Sequence, residues 1–125
     1  MMDFFFQAHQ GWQYVTLAAL IASIAFSFQR EMTSTSEKIY RITAVTIDIQ
    51  VTLGIVLWIF DSGWSLGFMQ GWLHPIVGLL AVGAVHAVVS RSKDLDPAEA
   101  NQRIRWGFIT VLVLVVAAIA IAELA

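Results

Sequence analysis

Long apolar stretches alternate with short polar or aromatic links along this chain, and there are four of them, at about 10–29, 41–60, 72–90 and 104–124. A helix needs about 20 residues to cross a hydrocarbon layer roughly 30 Å thick, so each stretch is long enough. None alternates apolar and polar positions with the period of two that a membrane barrel strand requires. Helices satisfy their own backbone groups in lipid, so helices are the expected elements.

The links carry the matching punctuation. Gln29-Arg30-Glu31 closes the first stretch. In the polar segment that follows, Ser34 and then Glu37 three residues on predict a capping box opening the second helix. Asp61-Ser62-Gly63 stops that helix, with Gly63 suited to a left-handed cap. The link 64–71 is uncharged and aromatic and suits a headgroup region. Pro75 falls in the first turn of the third stretch, where a missing N–H costs little, and Arg91-Ser92-Lys93-Asp94 ends it. Asp96-Pro97-Ala98-Glu99 reads as N-cap, proline at the first helical position and glutamate at the third, so the fourth helix begins before its apolar part. The pattern predicts an all-α integral membrane protein: one up-down-up-down bundle of four transmembrane helices spanning 1–125.

Composition removes the rivals. The chain has 125 residues, 58% hydrophobic and 13% charged, with a mean hydropathy of +0.75. Soluble domains carry roughly 25% charged residues. Four spans use about 80 residues, which leaves no room for a separate soluble domain. The absence of cysteine excludes disulfides, thiolate metal sites, iron–sulfur clusters and covalently attached haem.

Charge gives a direction. All seven basic residues fall in two short regions, Arg30, Lys38, Arg41 and Arg91, Lys93, Arg103, Arg105. The positive-inside rule places both regions in the cytoplasm, and both termini and the 61–71 link outside with Asp3, Asp61 and Glu123. Trp12, Trp58, Trp64 and Trp72 then form an outer aromatic belt, with Trp106 and Tyr40 at the inner boundary. Met1-Met2-Asp3-Phe4-Phe5-Phe6 lacks the basic start of a signal peptide, so the first stretch is expected to stay as a span. No basic patch suggests nucleic acid as a partner.

The three histidines are the candidates for chemistry. Helices one and three run in the same direction in such a bundle. Counting from the basic boundaries puts His9 and His74 at similar depths near the outer face. Two imidazoles facing each other across a bundle can ligate haem iron from both sides, and without cysteine that haem is b-type. The alternative is a pair of amphipathic residues at the membrane interface. His86 lies about 18 Å deeper than His74 and about 120° around the helix, so these two share no metal. Asp48 on helix two reaches the depth of His86, and a carboxylate in lipid normally faces the bundle interior. Asp48 and His86 are therefore expected to interact, as a proton path, as a ligand-orienting bond or as a structural pair. Gln50 stands about 200° from Asp48, so one of the two faces a neighbouring helix and the other a second subunit or a cofactor. The small residues Ala18, Ala22 and Ala25 on helix one, and Gly78, Ala81, Gly83, Ala84 and Ala87 on helix three, suggest packing faces; Gly78 and Ala81 would also leave room for a flat macrocycle.

Three segments carry a family resemblance: His9-Gln10-Gly11-Trp12, the helix-two run from Asp48 and Gln50 through Gly54 to Trp58, and His74-Pro75. In these the chain resembles small four-span bacterial membrane proteins described as cytochrome b-like. Gly11 stands where an arginine usually precedes the tryptophan. The resemblance implies haem b in the bacterial cytoplasmic (inner) membrane, with electron transfer linked to quinone or to a respiratory or photosynthetic complex. His9 and His74 would be axial ligands, and Trp12, Trp72 and Gly78 would line the pocket. Such a chain is an electron carrier or a subunit more than a stand-alone enzyme. The larger two-haem cytochromes need a second histidine pair at the inner side, and only His86 is there, so one haem per chain is the maximum. Two rivals use the same residues differently. One is a cofactor-free accessory or scaffold subunit in lipid, alone or as a homo-oligomer. The other is a small proton-coupled carrier built on Asp48 and His86.

Overall fold

The computed structural model describes residues 2–124. It contains α1 (Met2–Phe26), α2 (Ser34–Phe60), α3 (His74–Ser92) and α4 (Pro97–Leu124), and no strand among the described residues. Cross-links set their directions. His9, Trp12 and Ser23 on α1 reach Gln50, Thr46 and Thr43 on α2, so these two helices run antiparallel. His74 on α3 reaches Ala118 on α4, while Gly107 of α4 lies against Val88 of α3, and the same holds there. Packing is closest within the α1–α2 and α3–α4 hairpins; α1 and α3 stand across the diagonal.

The helix ends follow from local chemistry. α1 starts earlier than the apolar pattern suggested and stops at Phe26, before the polar link. Thr33, not Ser34, caps α2: its hydroxyl accepts from Ser36 N at 3.1 Å, and the Ser36 hydroxyl accepts from Thr33 N at 2.8 Å. The expected box with Glu37 is thus replaced one residue earlier, because a serine hydroxyl closes the same ring. Glu37 instead meets Arg41 one turn on, at 3.5 Å on the surface. At the far end of α2 the left-handed residue is Ser62 (φ 52°) and not Gly63. Gly63 serves space: the Trp58 indole lies where its Cβ would be. A π-helical turn, Met69–Leu73, then leads into α3. The carbonyl of Gly71 in this turn accepts from Trp58 Nε1 at 2.7 Å. Edge-on contacts of Trp58 with Trp64 (5.3 Å) and Trp72 (5.7 Å) complete an aromatic cap over that end. α4 begins at Pro97, with the Asp96 carbonyl accepting from Ala100 N at 2.7 Å.

The bundle is apolar outside and partly polar inside. Phe28, Ile42, Trp106, Val113 and many other large apolar side chains are exposed, whereas Thr16, Ser23, Ser27, Thr43 and Asn101 are buried. Water would not tolerate so continuous an apolar exterior on a small monomer. Three helical segments, Ser34–Phe60, Met69–Ser92 and Pro97–Leu124, are long and apolar enough to cross a membrane. α1 matches them in length, but its first half carries Gln7, His9, Gln10 and Gln13, and it is not among them. The Ala18, Ala22, Ala25 stripe, expected to pack, faces outward. The buried face of α1 is Thr16, Leu20, Ser23 and Ser27, because hydroxyls away from water need partners: Ser23 and Thr43 join at 2.7 Å. On α3, Ala81 is buried as expected while Gly83 and Ala87 face out.

Filling is uneven along the bundle axis. Toward the 27–33 and 93–96 links the large side chains Leu20, Tyr40, Val85, Ile104 and Phe108 fill the bundle centre at or near zero exposure, and a cavity of about 280 Å³ lies beyond them among Met32, Thr33, Tyr40, Lys93 and Leu95. Tyr40 belongs to this core and not to an aromatic belt. It packs edge-on against Phe108 at 5.7 Å and donates its hydroxyl to Asn101 Oδ1 at 2.8 Å. Asn101 in turn donates to the Gln29 carbonyl at 3.0 Å, and Arg105 donates to the Ser27 carbonyl at 2.7 Å. These bonds clamp the C-terminal end of α1 to α4. Toward the 61–73 link the buried side chains thin out to Leu57 and Ala118, and a cleft opens there.

Two substitutions probe the closed end. A side chain at Gly107 would run into Val88, so Gly107→Val should lower the unfolding free energy in bicelles by about 1–3 kcal/mol. Tyr40→Phe strands the Asn101 carbonyl oxygen and should cost about 1–3 kcal/mol in the same titration, with the helical signal retained.

Candidate functional site

The cleft at the open end has a volume of about 270 Å³ and is lined, among others, by His9, Gln50, Gly54, His74, Gly78 and Ala118. Its walls come from all four helices. The remaining lining is largely apolar, including Val51, Ile55, Ala81 and Val115. Asp61 and Glu123 line it, but no Lys or Arg does; Gln10, Gln13 and Gln70 line it as well.

The imidazoles of His9 and His74 meet inside it. Their ring centres are 6.2 Å apart and their planes stand at 83°. The depth match expected from the sequence is therefore realised, and the rings turn toward each other across the bundle diagonal. Each ring is fixed by the neighbouring helix of its own hairpin. His9 Nδ1 lies 3.1 Å from the Gln50 carbonyl of α2, and His74 Nδ1 lies 2.7 Å from the Ala118 carbonyl of α4. A carbonyl only accepts, so both Nδ1 atoms carry the proton, and the lone pair of each neutral ring sits on Nε2.

Local sequence explains the seat of His9. Gly54 is one turn beyond Gln50 on α2, and the missing side chain opens a groove beside the Gln50 carbonyl. A Cβ at Gly54 would stand 3.0 Å from His9 Cε1. The Gln50 side chain adds a second tie, donating from Nε2 to the His9 carbonyl at 2.8 Å. That carbonyl belongs to the exposed first half of α1, where Gln13 and Gly11 follow. The other amide atom, Gln50 Oε1, is buried without a partner. Trp12 Nε1 donates to the Thr46 carbonyl at 2.8 Å, fixing α1 to α2 one turn deeper.

The remaining candidates divide. Gly78 lines the cleft, as expected. Trp12 and Trp72 do not: the first is held by Thr46, and the second belongs to the aromatic cap. Trp58, expected in the aromatic belt and not as a pocket residue, takes their place in the wall. Asp48 and His86 form the expected pair, with His86 Nε2 donating to Asp48 Oδ1 at 2.7 Å. The pair does not face the interior. It lies on the outer surface of α2 and α3, with the side chains 40% and 52% exposed respectively. Gln50 turns the other way, toward α1, in keeping with its angle from Asp48. Among the described residues no cluster of three or more His, Asp or Glu side chains is placed to hold a bare metal ion.

No family model matches the chain, and neither a curated protein nor a solved structure does.

The tautomers are open to measurement. The ¹⁵N spectra should show His9 and His74 as neutral rings protonated at Nδ1, and His86 carrying a proton on Nε2. Gly54→Val should change the His9 signals and leave those of His86 in place.

Proposed function

We propose that this chain is a membrane protein that binds one b-type haem between His9 and His74. In this reading it exchanges electrons with a membrane quinone or with a respiratory or photosynthetic partner complex. It lies in the bacterial cytoplasmic membrane, α1 also crosses, and both termini and the 61–73 link face outward.

The observation that carries the reading is the spacing of the two rings. Metal–imidazole bonds of about 2.0 Å, with about 1.1 Å from nitrogen to ring centre on each side, separate two opposed rings by just over 6 Å. The two ring centres here are 6.2 Å apart. Two protein ligands are too few for a bare ion, and a porphyrin supplies the other four. Bound haem supplies a one-electron carrier whose potential the axial ligands and surroundings tune.

The rest falls to this chain's own residues. The Gln50 and Ala118 carbonyls hold the rings in orientation and make each Nε2 a stronger donor. Val51, Ile55, Ala81 and Val115 keep the centre of the cleft apolar. Gln10, Gln13 and Gln70 add neutral amides to the lining, with Gln70 Nε2 donating to the Ala122 carbonyl at 3.3 Å. Gln50 Oε1 is an acceptor in want of a proton donor. The arrangement of basic side chains supports the orientation: Arg30, Arg91, Lys93 and Arg103 cluster at the closed end, and the open end bears Asp61 and Glu123.

Protein purified from haem-replete cells should give a sharp α-band in its reduced-minus-oxidised spectrum. His9→Ala and His74→Ala should each abolish the low-spin band while the helical circular dichroism stays. A wild-type protein that is folded and colourless under these conditions overturns the reading; stoichiometric copurification with a larger complex would then make it an accessory subunit. Reporter fusions after residue 32 and after residue 95 should be active in the cytoplasm, and a fusion after residue 66 should not.

A further inference from the structure

The Asp48–His86 pair lies in the wrong place for a solitary bundle. Counting along the helices, His86 stands about 7 Å from Arg91 and Asp48 about 10 Å from Arg41, so both lie inside the hydrocarbon once the basic residues mark its boundary. Ionisable groups at that depth almost always face the bundle interior or water. Here they face outward, 40% and 52% exposed, on helices that also expose Val45, Ile49, Leu79 and Leu80. Each satisfies one bond of the other, and their further hydrogen-bonding capacity points away from the fold. Thr52, one turn from Asp48, spends its hydroxyl on the Asp48 carbonyl at 2.7 Å and leaves the carboxylate unassisted.

We infer that a second copy of this chain covers the α2–α3 face, with the Asp48–His86 pairs of the two copies meeting across a twofold axis along the membrane normal. The inference rests on the membrane reading and is independent of haem. Charge complementarity selects the occupant. The patch carries one acid and one base at a common depth, so a rotation about the normal brings an identical acid and base to the same level. The acid of each copy then meets the base of the other, which is the self-complementarity a twofold contact requires. With a proton also on Nδ1, each His86 donates to its own Asp48 and to that of the other copy, and the four groups close one hydrogen-bonded ring away from lipid. The approach is sterically open, because nothing lies within 4 Å of a Cβ built at Gly83, one turn from His86 and four residues before the exposed Ala87. Small residues at that spacing let helix backbones come close in lipid.

The chain contains no cysteine, so single cysteines report contact cleanly. In native membranes under mild oxidation, Gly83→Cys should give a disulfide-linked dimer as its main product. Ile21→Cys on α1 and Val113→Cys on α4 are exposed on other faces and should stay monomeric. Gly83→Leu projects into open space and leaves the bundle intact, and it should convert wild-type dimers to monomers by light scattering in detergent. The inference is overturned if Gly83→Cys cross-links no faster than the two controls, if it captures a chain of different mass, or if wild type and Gly83→Leu are both monomers in nanodiscs. Colour separates this result from the function proposed above. A colourless dimer leaves the interface standing without the haem, and a pigmented monomer does the reverse.

Discussion

Two backbone carbonyls decide what this bundle presents at its open end. An imidazole N–H held away from water needs an acceptor, and a helix interior offers only carbonyls already engaged by the amide four residues on. The Gln50 and Ala118 carbonyls each take a second bond, from His9 and His74. With both N–H groups spent on the walls, the unprotonated nitrogens are left for the space between. Each hairpin builds one half of the pair in the same way, a ring from its first helix seated on a carbonyl of its second. The site is thus a repeated local device brought face to face by the packing of two hairpins.

That packing is held from the other end. Tyr40, Asn101 and Arg105 form a hydrogen-bonded buckle among α1, α2 and α4 close to the chain links, and Phe108, Ile104 and Val85 fill the space beneath it. A bundle uniformly packed with large side chains would have no room for anything at its far end. Confining the bulky residues to one half lets the helices stay in register while Gly54, Gly78, Ala81 and Ala118 line a gap in the other half. The aromatic cluster of Trp58, Trp64 and Trp72 keeps α2 and α3 joined beyond that gap.

Much of this was legible in the residues. Hydropathy marked the four helices, and counting from the basic clusters brought His9 level with His74 and Asp48 level with His86. Angular position was readable only in relative terms: Gln50 and Asp48 do point apart, but nothing in the sequence told which of them faced in. The Asp48–His86 pair was expected inside because the cost of a carboxylate in lipid alone was weighed, and it faces outward. Ala18, Ala22 and Ala25 misled because an alanine stripe suits lipid as well as a neighbouring helix, whereas Ser23 and Thr43 were the residues with a need to meet. The carbonyl partners were invisible, since every residue carries one. Gly54 was the one available clue, a glycine one helical turn from Gln50. Trp12 and Trp72 looked like pocket walls by depth, but an indole N–H follows its acceptor, and each found backbone or aromatic partners elsewhere.

The division of labour between hairpins also sets a timetable for biogenesis. The seat for the first imidazole is complete once α2 has been made, but the second waits for Ala118, near the end of α4. Between the completion of α2 and that of α4, the nascent chain therefore holds one finished half-site and no whole one. Under the function proposed above, a ligand gripped from both sides would have to wait until the second hairpin has closed on the first.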